Sequence, residues 1–269
     1  MLRIESINKA FGGLQAITQL SLEVNEGEIV SVIGPNGAGK TTLFNLITGV
    51  YRPDSGRILF EGRQISGLKP NRIVDIGIAR TFQNLRLFNN LTVLQNVLIA
   101  QHHRLRTFWP ASVLRTPGYL RQERRMHEVA LEKLAFFGPR LMSFRLEQPV
   151  EVLSYANRRR TEMARAMATG ARLLLLDEPS AGMNPSETAE ITDIIRRMRD
   201  EGGYTIMLVE HKMNLVKDIS DRVVVLDYGR KIAEGSYEDV VSEPAVIEAY
   251  LGKRATAEGA QIAELGAEL

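Results

Sequence analysis

Short apolar runs that end abruptly at polar or glycine residues recur along this chain. The runs Ile29–Ile33, Leu173–Leu176 and Thr205–Val209 are almost continuous rather than alternating, which is typical of strands buried on both faces of a parallel sheet. Segments with helical spacing stand between them, one beginning near Gly39 and another covering Pro185–Asp200. This succession predicts an α/β fold with a parallel central sheet.

The first part of the chain carries a different pattern. Leu2–Phe11 alternates imperfectly between apolar and polar positions, and a second strand, Leu20–Val24, leads through a turn at Asn25–Gly27 into the strand Glu28–Ile33. These features predict an antiparallel β-layer beside the core. Further short strands are predicted at Arg57–Phe60, Ile78–Phe82, Arg222–Asp227 and Lys231–Ala233, the last two as a hairpin followed by short helices.

Between the two halves of the α/β pattern the spacing becomes helical. Thr92 and Gln95 match a capping box that opens one helix, and longer helices are predicted over Tyr119–Phe137 and Asn157–Thr169. We interpret this stretch as an α-helical subdomain inserted into the α/β core. The predicted organisation is a core at 1–90 and 171–252, a helical subdomain at 91–170 and a C-terminal tail at 253–269.

The turn after Ile29–Ile33 matches the phosphate-binding pattern G-x-x-x-x-G-K-[ST] at Gly34–Thr41. Glycines let successive backbone N–H groups point inward, and the helix that starts near Gly39 adds its N-terminus, so the loop forms a cradle for polyphosphate. Lys40 would reach the β- and γ-phosphates, and the Thr41 hydroxyl would take one position around Mg²⁺. The nucleotide-binding residues predicted here are Asn36, Gly37, Ala38, Gly39, Lys40, Thr41 and Thr42.

Polar side chains stand at the ends of three predicted strands. Asp177 and Glu178 end the strand Leu173–Leu176, at the carboxyl edge where open α/β sheets bind ligands. Asp177 can hold Mg²⁺ through a water molecule, and Glu178 can polarise the water that attacks the phosphate. At two other strand ends, Gln83 can reach Mg²⁺ or that water through its amide oxygen, and His211 can donate a hydrogen bond to the γ-phosphate.

Three further features allow more than one interpretation. Phe11, upstream of the phosphate loop, either stacks on adenine or packs in the core. His102, His103 and His127 lack a further ligand at metal-binding spacing, which favours surface or packing roles. The segment between His102 and Arg125 is either a docking or headgroup-facing surface or, more simply, a solvated basic face. Its arginines are Arg104, Arg106, Arg115, Arg121, Arg124 and Arg125.

Composition narrows the class of protein. The 34 Lys and Arg residues against 32 Asp and Glu residues leave a net charge of +2, too little to indicate nucleic-acid binding. The absence of Cys excludes disulfides and thiolate metal sites and is compatible with a reducing cytosol. No apolar run approaches the roughly 18 residues that cross a bilayer, and the N-terminus lacks a signal-peptide pattern. We therefore expect any membrane role to come through partner proteins.

Together these motifs resemble the nucleotide-binding subunit of ABC transporters over about Leu2–Gly252. The matching elements, in order, are Phe11, the phosphate loop, Gln83, Leu153-Ser154, Asp177-Glu178, Ser180–Asn184 and His211. Within that family, Arg80–Gln83, Ala181–Pro185 and Glu248–Gly252 look like the Liv-type subunit of branched-chain amino acid importers. The resemblance implies an ABC-type P-loop NTPase core with an antiparallel β-layer and an inserted α-helical subdomain.

The resemblance also implies an ATPase that works as a homo- or heterodimer of ATP-binding subunits. ATP and Mg²⁺ would lie between two heads, with Ser154 and Ala156 of one head capping the γ-phosphate bound by the other, and hydrolysis would reopen the pair. The implied partners are integral membrane permease subunits and, indirectly, a solute-binding protein, with no nucleic acid. The implied location is cytoplasmic, peripheral on the inner face of the cell membrane. The implied cargo is branched-chain amino acids, with other amino acids, amides and urea as alternatives.

Two positions depart from the family pattern. The signature L-S-G-G-Q reads Leu153–Asn157 here, so that Ala156 replaces a glycine and its Cβ can crowd the phosphate. Asn184 stands where the family has an Asp, in the loop Ser180–Asn184 that follows Asp177-Glu178. The side chain keeps a hydrogen-bond acceptor but loses the charge. We expect a working site with a somewhat altered closed dimer. The alternatives are a nucleotide-binding regulatory or structural partner with weak hydrolysis, and a soluble ABC ATPase acting on nucleic acid or the ribosome.

Overall fold

The structure, a computed structural model, describes residues 1–104 and 114–251. They divide into two compact units, one formed by Met1–Ile73 with the described residues from Leu175 onward, and the other by Val74–Leu174. Arg106, Gly252 and the predicted tail at 253–269 lie outside the described residues.

The strands and helices follow the predicted succession except at Arg63–Gln64, Pro70–Asp75 and Met213–Ile219, which were not predicted. The strands are β1 (Leu2–Phe11), β2 (Leu14–Val24), β3 (Ile29–Ile33), β4 (Ser55–Phe60), β5 (Arg63–Gln64), β6 (Ile78–Arg80), β7 (Leu173–Asp177), β8 (Thr205–Val209), β9 (Arg222–Asp227) and β10 (Arg230–Gly235). The α-helices are α1 (Lys40–Ile47), α2 (Pro70–Asp75), α3 (Val93–Ile99), α4 (Pro117–Ala135), α5 (Tyr155–Ala168), α6 (Pro185–Asp200), α7 (Met213–Ile219), α8 (Tyr237–Ser242) and α9 (Pro244–Leu251).

The first unit contains the predicted parallel core and antiparallel layer. In the core the strand order is β10-β9-β3-β8-β7, and β3 runs parallel to both β8 and β9. Every residue of β3, β7 and β8 is buried, as their apolar sequences predict. The antiparallel layer has the order β2-β1-β4-β5.

Two expectations about the start of the chain were wrong. Leu20–Val24 and Ile29–Ile33 do not share a layer, because β2 pairs with β1 whereas β3 joins the parallel core. The second strand also begins at Leu14 rather than Leu20, directly after a turn in which Phe11 pairs with Leu14. Its first two residues are exposed, so the sequence shows no alternation there from which a strand can be predicted.

An ion pair joins the amino ends of β3 and β9. Arg222 donates to both carboxylate oxygens of Glu28, from Nε at 2.7 Å and from Nη2 at 2.9 Å. Burial alone would raise the pKa of the Glu28 carboxyl, but hydrogen bonds from Arg222 and from the N–H of Asn25 outweigh burial and lower the pKa below its ordinary value. The bidentate geometry thus holds the strand that leads into the phosphate loop.

The second unit is mainly helical. Helices α3, α4 and α5 pack on one another around apolar side chains that include Val97, Leu134 and Met163, all of them fully buried. The capping box at Thr92 and Gln95 is present, with Gln95 N–H donating to Thr92 Oγ1 at 3.2 Å and Thr92 N–H donating to Gln95 Oε1 at 3.0 Å. The apolar residues at helical spacing in this part of the sequence therefore form the core between its helices.

Several boundaries in the second unit differ from the prediction. Helices α4 and α5 each begin two residues early, because Thr116 and Ser154 act as their N-caps. Strand β6 ends at Arg80 rather than at Phe82. The N–H and C=O groups of Phe82 bind side chains of α5 instead of a neighbouring strand.

Several polar side chains of the second unit face solvent. His102, His103 and His127 are exposed. The arginines of the basic segment that the structure describes, Arg104, Arg115, Arg121, Arg124 and Arg125, are also exposed. Within residues 1–104 and 114–251, no group of three or more His, Cys, Asp or Glu residues is placed to hold a metal ion, and no helix combines the length and apolar character that a membrane span requires.

Candidate functional site

The loop between β3 and α1 adopts backbone conformations that require glycine. Gly34 has a φ of +146°, and a Cβ on it would lie 2.1 Å from the Leu226 carbonyl oxygen. Gly39, the N-cap of α1, has a φ of +102°, and a Cβ there would lie 2.7 Å from the Ala16 oxygen. Both glycines of the pattern are therefore needed to pass the loop close to neighbouring backbone.

Lys40 is folded back over this loop. Its Nζ donates to the carbonyl oxygens of Gly34 at 2.6 Å and of Pro35 at 3.1 Å, and the residue is only 7% exposed. Among the other predicted nucleotide-binding residues, Asn36, Gly37 and Thr41 are exposed, Gly39 and Thr42 are half-buried, and Ala38 is buried. An ammonium group over a loop that also ends in a helix N-terminus is suited to binding phosphate groups.

The turn between β9 and β10 anchors the phosphate loop. Gly229 N–H donates to the Ala38 carbonyl at 2.9 Å, and the Gly229 carbonyl accepts from Thr18 N–H at 2.8 Å. A Cβ on Gly229 would lie 2.5 Å from the Ala16 oxygen. The sequence around Tyr228-Gly229 predicts only a hairpin turn. Because Gly is common in such turns, it gives little signal for this second role.

The ends of β7 and β8 bring the two predicted catalytic side chains of the first unit together. Asp177, the last residue of β7, is buried, and the next residue, Glu178, has a φ of +47°. His211 follows β8 by two residues, and its Nε2 lies 3.3 Å from Glu178 Oε1. The two side chains are 25% and 19% exposed for His211 and Glu178 respectively. A water molecule can therefore reach the pair.

Glu210 organises the backbone around this pair, a role that its sequence context does not predict. Its Oε1 accepts hydrogen bonds from Ser180 N–H at 2.9 Å and Ser180 Oγ at 2.6 Å. Its Oε2 accepts from the N–H groups of His211 at 2.9 Å and Lys212 at 3.2 Å. A buried carboxylate with four donors is a strong cross-link. The only sequence feature that could have suggested this role is the position of Glu210 directly after an apolar strand.

The segment after Glu178 is fixed by a lysine and a helix cap. Lys212 Nζ donates to the Met183 carbonyl at 2.9 Å and to Thr188 Oγ1 at 2.7 Å. Asn184 is the N-cap of α6, and its side chain forms a capping box with Glu187. Asn and Asp cap helices about equally well, so the substitution seen in the sequence leaves the helix start intact.

Phe11 lies at the tip of the β1–β2 hairpin and not in the core. Its side chain is 40% exposed, and its ring packs edge-on against Tyr51 with the ring centroids 4.9 Å apart. The core-packing interpretation is therefore wrong, while stacking on adenine stays a prediction.

The remaining predicted site residues belong to the second unit. Gln83 is exposed. Ser154 is the N-cap of α5, and its Oγ accepts from Asn157 N–H at 3.4 Å. Ala156 lies in the first turn of that helix and is 3% exposed. Asn157 Oδ1 accepts from Arg160 Nη1 at 2.8 Å, so this amide is partly used inside the helix.

A glycine-dependent phosphate loop and an Asp-Glu pair with a histidine at the next strand end define the class of P-loop ATPases. A family model described as "ABC transporter" matches residues 17–181, and a model described as "Branched-chain amino acid ATP-binding cassette transporter" matches residues 230–256. The chain belongs to the ABC transporter family, as one of its ATP-binding cassettes.

Proteins of similar sequence match nearly the whole length of this chain. "High-affinity branched-chain amino acid transport ATP-binding protein BraF" of Pseudomonas aeruginosa is 43% identical over 253 residues, which cover 94% of this chain and 98% of that protein. "High-affinity branched-chain amino acid transport ATP-binding protein LivG" of Escherichia coli is 42% identical over 254 residues, with the same two coverages of 94% and 98%.

Solved structures show the same fold. A nucleotide-free ATP-binding cassette from an ABC transporter is similar with a TM-score of 0.80 and 33% identity, covering 93% of this chain and 98% of that one. The ADP conformation of an ATP-binding cassette has a TM-score of 0.80 and 32% identity, covering 94% and 98%. The predicted resemblance, fold class and ATPase activity are thereby confirmed, and a transport ATPase is favoured over a regulatory subunit or a nucleic-acid ATPase.

Proposed function

We propose that this chain is the ATP-hydrolysing subunit of an importer for branched-chain amino acids. Its relatives at 42–43% identity are named as high-affinity branched-chain amino acid transport ATP-binding proteins. The match of residues 230–256 to the branched-chain family model supports the same assignment from a different part of the chain. The cargo assignment rests on these relatives.

The 3.3 Å contact between Glu178 Oε1 and His211 Nε2 is the observation that carries the catalytic part. We propose that Lys40 and the loop N–H groups hold the β- and γ-phosphates. Glu178 accepts a proton from water as the water oxygen attacks the γ-phosphorus and the bond to the ADP oxygen breaks. His211 donates a hydrogen bond to the γ-phosphate oxygens, where negative charge is spread in the transition state.

The donor set fits Mg²⁺ as the metal. Thr41, Gln83 and Asp177 offer hydroxyl, amide and carboxylate oxygens, which are the ligands this hard cation takes. We propose direct ligation by Thr41 and Gln83 and ligation through water by Asp177. When bound, Mg²⁺ would neutralise charge on the β- and γ-phosphate oxygens.

We further propose that Ser154 and Ala156 complete the site of a second ATP-binding subunit, either a copy of this chain or a related one. Ser154 Oγ uses a lone pair to cap Asn157, so its O–H is still able to donate to a phosphate. Because Ala156 lies within α5, its N–H points toward the helix N-terminus, as the missing glycine's would. The site therefore keeps its donors although it lacks the signature glycines.

The proposed assembly places this chain on the cytoplasmic face of the membrane. Integral permease subunits would form the path for the cargo, and a solute-binding protein would deliver it from the other side. Phe11, with its exposed ring, would stack on the adenine base.

Reconstitution tests the function. The chain is combined with the permeases, any second ATPase and the solute-binding protein encoded beside it, and ATP turnover is measured in vesicles. We expect turnover to rise when the binding protein is loaded with leucine, isoleucine or valine, together with uptake of the same labelled amino acid. Stimulation by amides or urea alone would contradict the cargo, and stimulation by DNA or ribosomes would contradict the transport function.

A further inference from the structure

A buried ion pair in α5 binds the backbone around Gln83. Arg159 and Glu162 have side chains only 0% and 1% exposed, and Arg159 Nη1 lies 2.9 Å from Glu162 Oε2. The same guanidinium donates to two consecutive carbonyls, from Nη1 to Phe82 O at 2.5 Å and from Nη2 to Gln83 O at 2.8 Å. The planar fork of Arg suits such a two-point contact, which Lys would not reproduce.

The carboxylate of the pair binds the N–H groups of the same segment. Glu162 Oε1 accepts from Phe82 N–H at 3.3 Å and from Arg86 N–H at 3.4 Å. One turn further along α5, Arg165 donates to the Arg86 carbonyl. Residues 82–86 are thus held at both ends, and through both carbonyl and N–H groups, by side chains of one helix.

The start of that helix is part of the same network. Tyr155 OH lies 3.0 Å from Arg159 Nη2 and accepts its hydrogen bond. Tyr155 follows Ser154, the residue proposed to contact the phosphate bound by the opposite subunit. Hydrogen bonds through Arg159 therefore connect the beginning of α5 to the carbonyl of Gln83.

Stability alone does not account for this pair. Burial raises the pKa of the Glu162 carboxyl, and this effect outweighs the attraction of Arg159, which lowers it. Apolar side chains of similar volume usually stabilise such a position equally well or better. They would, however, leave the backbone of residues 82–86 without these partners.

We infer that Arg159 and Glu162 are positioning residues for hydrolysis: they fix the backbone of residues 82–86, set the position of the Gln83 side chain, and join it to the helix that begins at Ser154. The inference rests on the proposed role of Gln83 as a ligand of Mg²⁺ or of the attacking water. Both side chains are fully buried, so we expect neither to touch the nucleotide.

The decisive variant replaces both charges at once. Arg159→Met with Glu162→Leu fills a similar volume and removes both fully buried charges together. Arg165, which Glu162 attracts, keeps its hydrogen bond to the Arg86 carbonyl. The chain is therefore expected to fold, with a thermal unfolding midpoint within a few degrees of the parent. Backbone hydrogen exchange of the segment 80–90 is then compared in the full-length chain. We expect exchange there to be about tenfold faster or more, because the segment opens without global unfolding. The matched control is Arg197→Met with Glu201→Leu, an exposed ion pair of α6, which should leave this segment unchanged.

Turnover separates positioning from a merely structural role. With a normal unfolding midpoint, the double variant should hydrolyse MgATP about 10- to 100-fold more slowly and need more Mg²⁺ for half-maximal rate, as changes behind a metal ligand typically do. Arg159→Lys, which keeps the charge but loses the fork, should fall between parent and double variant. Unchanged exchange, or fast exchange with normal turnover and Mg²⁺ dependence, would overturn the inference.

Gln83→Ala distinguishes this failure from a failure of the proposed function. If Gln83→Ala hydrolyses MgATP normally, the proposed role of Gln83 is wrong, whereas the exchange measurement still decides whether the ion pair holds residues 82–86. If Gln83→Ala is slow and the double variant is not, the positioning inference alone is overturned.

Discussion

Glu178 Oε1 and His211 Nε2 lie 3.3 Å apart, across the ends of the neighbouring strands β7 and β8. Glu178 reaches this position in a left-handed conformation, with φ at +47°, which costs a residue other than glycine about 1–2 kcal/mol. Its N–H donates to the Val209 carbonyl at 2.9 Å, which helps to hold that backbone. Strain of this kind often marks a residue whose side chain has a chemical task.

Glu178→Gln should separate binding from hydrolysis. The amide has the shape of the carboxylate but is a poor proton acceptor, so we expect MgATP affinity to be preserved and turnover to fall about 10²- to 10⁴-fold. The ATP-bound subunits should then accumulate as a closed dimer, detectable by size-exclusion chromatography with light scattering. Glu128→Gln, on the exposed face of α4, is the control and should hydrolyse ATP normally. Unchanged turnover of Glu178→Gln in the reconstituted transporter would contradict its role as the base.

Lys40→Ala should strongly weaken nucleotide binding. Lys40 Nζ now binds the carbonyls of Gly34 and Pro35, and we propose that it turns to the β- and γ-phosphates when nucleotide enters. Loss of this charge-assisted contact should weaken MgATP binding by about 1.5–3 kcal/mol or more, measured by equilibrium titration. The exposed Lys69→Ala serves as the comparison, and near-normal affinity in Lys40→Ala would remove Lys40 from phosphate binding.

Glu210→Gln should damage hydrolysis without changing phosphate binding. The carboxylate accepts four hydrogen bonds from Ser180, His211 and Lys212, and an amide turns one acceptor oxygen into a donor facing another donor. We expect a loss of stability of about 1–3 kcal/mol in urea unfolding, together with slower turnover at unchanged MgATP affinity. Ser180→Ala, which removes only one of the four bonds, should have a smaller effect. Equal turnover in Glu210→Gln and the parent would show that Glu210 does not position His211.

The phosphate loop and the strand-end residues were predictable because their signals are local. Gly34 and Gly39 carry a complete motif, and Asp177, Glu178 and His211 stand directly after apolar runs. Their proximity at one sheet edge follows from the parallel order of β3 and β8 and from the position of β7 beside β8. The sequence therefore predicted that these side chains meet at this sheet edge, while their chemical roles stay predictions.

The supporting contacts were not predictable because they join distant parts of the chain. Gly229 binds Ala38 across almost the whole sequence, and nothing in its own neighbourhood distinguishes it from an ordinary turn glycine. Arg159 and Glu162 look like the polar face of an amphipathic helix, yet they are fully buried because the backbone of residues 82–86 supplies their partners. Local periodicity carries no information about such partners.

The Glu28–Arg222 pair predicts a specific pH dependence of stability. The pKa of the Glu28 carboxyl is lowered in the folded state. The contribution of its ion pair to the free energy of unfolding is therefore fully present above pH 4.5, the ordinary pKa, and is lost as the pH falls through the folded pKa. Arg222→Met should therefore be less stable than the parent by about 1–3 kcal/mol at pH 7, and the difference should shrink below pH 4.5. Arg222 also binds Glu234 and the Glu23 carbonyl, so part of the difference should persist in acid. Urea unfolding at pH 7, 5 and 4 measures this difference.

Arg196→Met, in an exposed pair with Asp193, is the control and should lower the free energy of unfolding by less than about 1 kcal/mol at neutral pH. If the stability difference between Arg222→Met and the parent does not change with pH, Glu28 is ruled out as its source.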